Sequence, residues 1–223
     1  RGAAGAAAGE TCDLPRLERG DLHVRAETLD ASARTVQVIW STGARVRRRH
    51  IFRDDFDEEL DLAGARLERF NAGAPLLSDH AAITDFMVGS IEPGTARVEN
   101  GQGVATVRFA EGTAEADRIW SLVQQGHLRA VSVGYRIHRL EITERDGEPD
   151  LVRAVDWEPL ELSAVAIGAD PAAVFRSQDA TTLNRCELTY HRKEGTMPED
   201  TQTAASTAPT TSAQANEGTQ TTE

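Results

Sequence analysis

Alternating apolar and polar positions run through the first half of the chain and predict short β-strands. Leu22, Val24 and Ala26 alternate with polar neighbours, and residues 35–40 repeat the pattern. Side chains on a strand point to its two faces in turn, so each stretch offers one apolar face to a core. Residues 30–32 read Asp-Ala-Ser, which suits a turn, and together the three segments predict a β-hairpin. Residues 103–109 alternate in the same way.

Residues 113–125 have the periodicity of an amphipathic helix. Thr113 can cap its start, acidic residues fill its first turn, and Gly126 ends it. The apolar positions form a single stripe made of Ala116, Ile119, Trp120 and Val123. Phe56 and Leu60, four positions apart in an acidic stretch, predict a second, short helix over residues 53–61.

Longer strand-like runs follow the main helix. They cover about residues 128–142, 151–155 and 160–167. Many strands with one good helix predict an α+β or mainly β domain over residues 20–176. Residues 1–19 are small and polar and predict a disordered lead. Residues 177–223 predict a disordered tail or linker, because the Thr-, Ala-, Ser- and Gln-rich end has too little apolar surface to offset its ordering entropy.

Charge and composition narrow the functional classes. The formal net charge of −12 argues against a nucleic-acid partner, and no apolar run is long enough for a membrane-spanning helix. The basic residues 45–50 are followed closely by the acidic residues 54–59, which predicts a solvated surface of mixed charge. Cys12 and Cys186 lie in the predicted disordered flanks. They form neither a disulfide framework nor a zinc pattern, which fits a reducing compartment and predicts no metal or other cofactor.

The candidate chemistry lies in two apolar segments. His80 follows the apolar residues 73–77, and Ser132 lies in the strand-like run that begins at Leu128. A serine hydroxyl becomes a good nucleophile when an imidazole can take its proton, so the two residues are worth pairing. Each also has a plain structural interpretation, as a hydrogen-bonded serine in a strand and as a structural histidine. The nucleophile elbow of α/β-hydrolases is excluded, because residues 135–140 continue as strand where that elbow needs a helix.

A carboxylate to orient the histidine has three candidates. Glu161 lies among apolar residues in a strand, where an ionised carboxylate needs a charged or hydrogen-bonding partner. It could instead face solvent at a sheet edge beside Pro159. Asp156 and Glu158 are rivals for the same role. The spacing alone leaves the choice open.

Four segments in order resemble one protein family, the prohead maturation proteases of tailed phages of the HK97 type. They are GAPLLSDH at 73–80, GHLRAVSVGYR at 126–136, WEPLELSAV at 157–165 and ADPAA at 169–173. The upstream stretches AETLDA at 26–31 and VIWSTGARV at 38–46 are also similar. Many relatives have Asp after the histidine, where this chain has Ala81.

The resemblance implies a fold related to the herpesvirus assembly protease, a mainly antiparallel β-barrel flanked by a few helices. It implies a serine endopeptidase with His80 and Ser132 in the catalytic roles, and we take Glu161 as the third member. Val133 and Gly134 are the nearest candidates for oxyanion donors. The implied partners are segments of the phage scaffold and major capsid protein, the chain's own tail, and further copies of the protease. The implied location is the assembling prohead in the host cytoplasm. The alternative is a non-catalytic capsid-assembly or scaffold module on the same barrel.

Overall fold

The computed structural model describes residues 7–14, 17–50, 53–166 and 183–191, and most of them are in strands. Two short 3₁₀ turns, Leu62–Gly64 and Thr84–Phe86, accompany the helices α1 (Glu68–Asn71) and α2 (Ala114–Gln124). The strands formed by these described residues are β1 (Ala7–Leu14), β2 (Leu17–Asp30), β3 (Thr35–Ser41), β4 (Val46–His50), β5 (Arg53–Leu60), β6 (Pro75–Ser78), β7 (Met87–Ile91), β8 (Arg97–Glu99), β9 (Gln102–Phe109), β10 (Ala130–Thr143), β11 (Asp150–Val165) and β12 (Asn184–His191). The predicted mainly β domain with few helices is therefore confirmed.

Within the described ranges, all twelve strands belong to one mixed sheet. Its order is β1-β12-β10-β2-β3-β9-β7-β6-β11-β5-β4, with β8 paired to β9 and an additional pairing between β10 and β11. Three pairs are parallel: β10 with β12, β11 with β5 and β11 with β6. The predicted closed antiparallel barrel does not describe the sheet as a whole, because the order ends in edge strands at β1 and β4.

The long hairpin of β10 and β11 explains this arrangement. The two strands pair from Ala130↔Val165 to Thr143↔Leu151. Each is long enough to hold two further neighbours, one near each end. At the end nearest Ser132, β10 pairs with β2 and β11 pairs with β6. At the other end they pair with β12 and β5, which extend the sheet outwards.

A cluster of aromatic side chains fills the core behind the hairpin. Trp40 meets Phe70 and Trp157 edge-on, with ring centroids 5.6 and 6.1 Å apart, and Tyr135 meets Trp157 at 5.7 Å. Such T-shaped contacts add to the free energy gained by burying the rings. Gly103 is required beside Trp40, because a Cβ atom there would lie 2.5 Å from the indole ring.

Helix α2 and the first hairpin agree with their sequence patterns. The Thr113 side chain caps α2 by accepting from the Ala116 N–H, and the four residues of the predicted apolar stripe are buried. Between β2 and β3, the Asp30 carboxylate accepts from the N–H groups of Ser32 and Ala33. These contacts form an Asx turn, which is the turn expected for Asp at that position.

The predicted helix over residues 53–61 is wrong, because this segment forms β5. Buried residues there are Glu58 and Leu60, two apart as on a strand. Pairing with β4 and β11 outweighs the weak helical spacing of Phe56 and Leu60. The hairpin of β4 and β5 also pairs the basic run with the acidic run across the strands.

Ion pairs connect the basic run to the acidic run. Two of them lie at the predicted solvated surface, and a third is buried. Arg45 with Glu59 and Arg47 with Asp57 lie at the surface, whereas the Arg48–Glu58 pair is buried. Tyr135 joins this buried pair by donating to the Glu58 carboxylate at 2.8 Å. The network therefore ties the hairpin of β4 and β5 to β10 just beyond Ser132.

The predicted flanks differ from the structure where residues are described. Residues 7–14 form β1, residues 17–19 begin β2, and residues 184–191 form β12. In antiparallel register, β1 and β12 bring Cys12 opposite Cys186, so neither cysteine is in a disordered flank. Neither strand has enough apolar residues to be predicted alone; each is stabilised by its partner. Residues 1–6, 15–16, 51–52, 167–182 and 192–223 lie outside the described residues, and with them most of the predicted tail and the ADPAA segment.

No helix among the described residues has the length and apolar character needed to cross a bilayer.

Candidate active site

Three neighbouring strands supply the site: β6, β11 and β10. Ser163 on β11 pairs with Leu77 on one side and with Ser132 on the other. Glu161 lies two residues before Ser163 and pairs with Gly134. Residues two apart on a strand share a face, and so do residues paired directly across two strands. Ser132, Glu161 and Ser163 are therefore directed to the same side of the sheet.

His80 comes to this face from the turn that follows β6. The Asp79 N–H donates to the Ala164 carbonyl at 3.1 Å, and the Ala81 N–H donates to the Ser78 carbonyl at 3.0 Å. Asp79 and His80 both have positive φ, 49° and 61°. This left-handed conformation is uncommon for residues other than glycine, and such strain is found most often at functional sites. The turn directs the imidazole back over β11.

The imidazole lies between the hydroxyl and the carboxylate. His80 Nε2 is 2.8 Å from Ser132 Oγ, and His80 Nδ1 is 2.8 Å from Glu161 Oε1. Ser132 and Glu161 are 4% and 3% exposed, and 10% of the His80 side chain is exposed. The structure thus brings together the three residues that the sequence analysis selected. Ser132 lies 52 positions and Glu161 lies 81 positions after His80 in the chain.

This arrangement selects one tautomer of the imidazole. An ionised carboxylate only accepts hydrogen bonds, so the His80 nitrogen beside Glu161 carries the proton. In the neutral ring the other nitrogen, Nε2, then has its lone pair directed at Ser132. The group is therefore oriented to accept the serine proton, which is the geometry that general-base catalysis requires.

Ser163 contacts two members of this group, and the sequence analysis did not select it. Its hydroxyl donates to Glu161 Oε2 at 2.7 Å and accepts from the His80 backbone N–H at 3.1 Å. The spacing of two from Glu161 on a predicted strand was the available signal, because it places both side chains on one face.

A second contact holds the end of β6. The Ser78 hydroxyl donates to Glu115 Oε1 of α2 at 2.8 Å, and Arg118 contacts the same carboxylate. Hydrogen bonds from Arg118 and Ser78 lower the pKa of Glu115. The start of α2 is thereby attached to the strand that leads into the His80 turn.

The two rival carboxylates have other partners. Asp156 forms a bidentate pair with Arg66, at 2.6 Å for both contacts. Glu158 pairs with Arg69 at 2.9 Å and lies 3.9 Å from His138. Neither of these contacts involves His80.

The predicted oxyanion donors lie inside β10, where Val133 and Gly134 have β2 on one side and β11 on the other. The pairing of β10 with β2 changes register between Val131 and Ser132. The pairing of β10 with β11 changes register between Gly134 and Tyr135. Such irregularities interrupt the regular hydrogen bonding between strands, and they are common next to active sites. The identity of the oxyanion donors stays a prediction.

An apolar cavity of about 290 Å³ lies beside Glu161. Of the side chains on its rim, Ile83 is 59% exposed and Met87 is 44% exposed, and nearby Phe86 is 40% exposed. The lining is formed by Pro75, Leu77, Ala82, Ile83, Thr84, Met87, Leu160 and Glu161. Most of it comes from β6 and from the segment that follows His80.

Within the described ranges, no group of three or more His, Cys, Asp or Glu side chains is arranged to hold a metal ion.

Comparison with known proteins identifies the family. The family model described as caudovirus prohead serine protease matches residues 55–187, more than half of the chain. A protein of Halomonas phage phiHAP-1 named major capsid protein is 34% identical over 139 residues, which are 61% of this chain and 22% of that protein. No solved structure matches the chain. The matched residues include β6, β10 and β11 with all three side chains of the site, and the chain belongs to the caudovirus prohead serine protease family.

Proposed function

We propose that the chain is a serine endopeptidase that cuts segments of the scaffold and of the capsid precursor, and its own chain, during phage prohead maturation. The observation that carries this proposal is the pair of 2.8 Å contacts that the His80 ring makes with Ser132 and Glu161. The roles follow from that geometry: Ser132 is the nucleophile, His80 the general base and acid, and Glu161 the group that orients the imidazole.

The reaction begins when Ser132 Oγ attacks the scissile carbonyl while His80 Nε2 takes the serine proton. Glu161 stabilises the imidazolium that forms and holds its Nδ1–H. As the tetrahedral intermediate collapses, His80 donates the proton to the leaving amine, and an ester to Ser132 remains. A water molecule then attacks this ester with His80 again as the base, which releases the new carboxylate and restores the serine.

One comparison supports the proposed substrates. The chain is similar to part of a protein named major capsid protein, and the alignment covers 22% of that protein. We infer that the chain works beside a capsid protein in the assembling prohead, inside the host cytoplasm. The Thr- and Ala-rich residues 196–223 have few large apolar side chains. A protease binds such a sequence readily in extended form, so this tail is the proposed site of self-cleavage or the link to a capsid or scaffold segment.

We further propose that an apolar side chain of the bound peptide enters the cavity beside Glu161. The cavity is lined by Leu77 and Glu161, which share the sheet face of Ser132. Adjacent strands are about 4.8 Å apart, so β6 lies about 10 Å from β10. This distance corresponds to about three residues of an extended peptide, close enough for a single bound segment to reach both places.

The competing function is a capsid-assembly or scaffold module that has the same fold without its chemistry. Labelling with a fluorophosphonate, which reacts covalently with activated serines, separates the two. We expect wild type to be labelled, either as the free chain or after co-assembly with the capsid precursor. Ser132→Ala and His80→Ala should not be labelled. A wild-type chain that stays unlabelled in both states would favour the inert module.

A further inference from the structure

Ser163 is a buried serine at the centre of the candidate site. It lies on β11 with 0% of its surface exposed, directly across the strand pair from Ser132. Burying a hydroxyl without hydrogen bonds is unfavourable, so a serine in this position needs defined partners. Its two partners both belong to the proposed triad.

The two hydrogen bonds of Ser163 use the hydroxyl as donor and as acceptor. It donates to Glu161 Oε2 at 2.7 Å, while Glu161 Oε1 faces the His80 ring. It accepts from the backbone N–H of His80 at 3.1 Å. One side chain therefore links the carboxylate that orients the imidazole to the backbone that bears the imidazole.

We propose that Ser163 is a positioning residue of this site, which fixes Glu161 and the His80 turn relative to each other. The inference rests on the proposed peptidase function. His80 has φ of 61°, an unfavourable conformation for a side-chain-bearing residue, and the Ser163 hydroxyl holds the N–H of that residue. The same hydroxyl limits rotation of the Glu161 carboxylate. Alanine can provide neither bond.

The expected effect is on the rate at which Ser132 reacts. A displacement of catalytic groups by about 1 Å can lower a rate about 100-fold, so Ser163→Ala should slow fluorophosphonate labelling of the full chain about 10- to 100-fold. Ser163→Cys fills a similar space with a weaker donor and acceptor and should also react slowly. The matched control is Ser41→Ala, since Ser41 is likewise a strand serine with 0% exposure but lies on β3. Its labelling rate should stay near that of wild type.

A spectroscopic measurement separates positioning from general destabilisation. The proton between His80 Nδ1 and Glu161 should give a downfield proton resonance in wild type. This signal should weaken or move upfield in folded Ser163→Ala and Ser163→Cys, and stay unchanged in Ser41→Ala. If either folded Ser163 variant reacts at the wild-type rate with this resonance unchanged, the positioning role is wrong. If Ser41→Ala slows labelling as much as the Ser163 variants do, the effect is general and the role is again wrong.

The failure of this inference differs from a failure of the proposed function. If wild type is not labelled at Ser132 in any state, the peptidase proposal itself is wrong. If wild type is labelled and the Ser163 variants match it, only the role of Ser163 is lost.

Discussion

His80 receives its orientation from groups far away in the sequence. Its ring contacts Ser132 and Glu161, and its backbone N–H contacts Ser163, all on strands that are distant along the chain. The residue types alone suggested a histidine and serine pair, because an imidazole is the usual base for a serine. The positive φ values of Asp79 and His80 could not be predicted, since neither residue is a glycine and the conformation depends on contacts with β11.

The three candidate carboxylates have different partners in the folded chain. Sequence spacing left Glu161, Asp156 and Glu158 open. In the structure Asp156 and Glu158 pair with Arg66 and Arg69, whereas Glu161 contacts the imidazole. Arginine partners of this kind are not evident from the sequence, because they lie 90 and 89 positions away from their carboxylates.

Replacement of Glu161 by glutamine tests its role at the scale of one residue. The amide can donate to Nδ1, which favours the tautomer with its proton on Nε2, and that tautomer cannot accept from Ser132. We expect cleavage to fall by about 10⁴ without loss of fold, as for the comparable change in other triads. The measurement is the cleavage rate together with circular dichroism.

Glu158→Gln is the matched control, since it makes the same chemical change on the same strand, three positions before Glu161. Glu158 pairs with Arg69 at the surface, so its variant should cleave at close to the wild-type rate. Equal losses in the two variants would contradict the assignment of Glu161.

Some elements around the site could be predicted correctly from the sequence, and others could not. Helix α2 and the hairpin of β2 and β3 have strong local patterns and local turn chemistry, so sequence reasoning found them. Strand β5 was predicted as a helix, because its acidic residues gain their order from β4 and β11 rather than from local propensity. The break predicted between residues 155 and 160 does not occur either, since β11 runs unbroken from Asp150 to Val165.

The segment between His80 and β7 forms the rim of the apolar cavity, and a variant there tests the proposed substrate contact. Ile83→Asp places a charge on the rim at a residue that is 59% exposed, so the fold should be retained. Cleavage of the capsid precursor should fall by about tenfold or more, because a carboxylate disfavours entry of an apolar side chain. The rate of fluorophosphonate labelling should change little, since that small probe does not need the cavity.

Val98→Asp provides the comparison for this experiment. Val98 is 43% exposed on the edge strand β8 and does not line the cavity. Normal cleavage by Ile83→Asp, or an equal loss in both variants, would argue against a substrate side chain in the cavity.

On the scale of the whole molecule, the two ends of the described chain meet in the sheet. β1 and β12 pair with each other, and β12 joins the sheet beside β10. The sequence predicts disordered flanks for both segments, because each strand has few apolar residues. Their order comes from a pairing between segments more than 160 positions apart, which no local pattern encodes.

This pairing predicts how the two cysteines react. Burial raises the pKa of Cys12 and raises the pKa of Cys186 to about 12. Only the thiolate is alkylated, so at pH 8 only a very small fraction of Cys186 is reactive in the folded chain. Alkylation by iodoacetamide, followed by mass spectrometry, should be slow at Cys186 and should rise about tenfold per pH unit until the pKa is approached.

The chain unfolded in guanidinium chloride serves as the reference, where both cysteines should react at the rate of an ordinary thiol. Folded protein in which Cys186 reacts as fast as in this reference at pH 8 would show that the β1–β12 pairing is not formed.

Cleavage of the capsid precursor shows whether Ser132 acts as the nucleophile of a peptidase. Wild type and Ser132→Ala would each be expressed with the phage's capsid precursor and scaffold, and the termini of all chains in the assembled particles identified by mass spectrometry. We expect new termini in the precursor, the scaffold or the protease tail with wild type, and intact chains with Ser132→Ala. The same new termini in both particles, or uncut chains in both, would contradict this expectation.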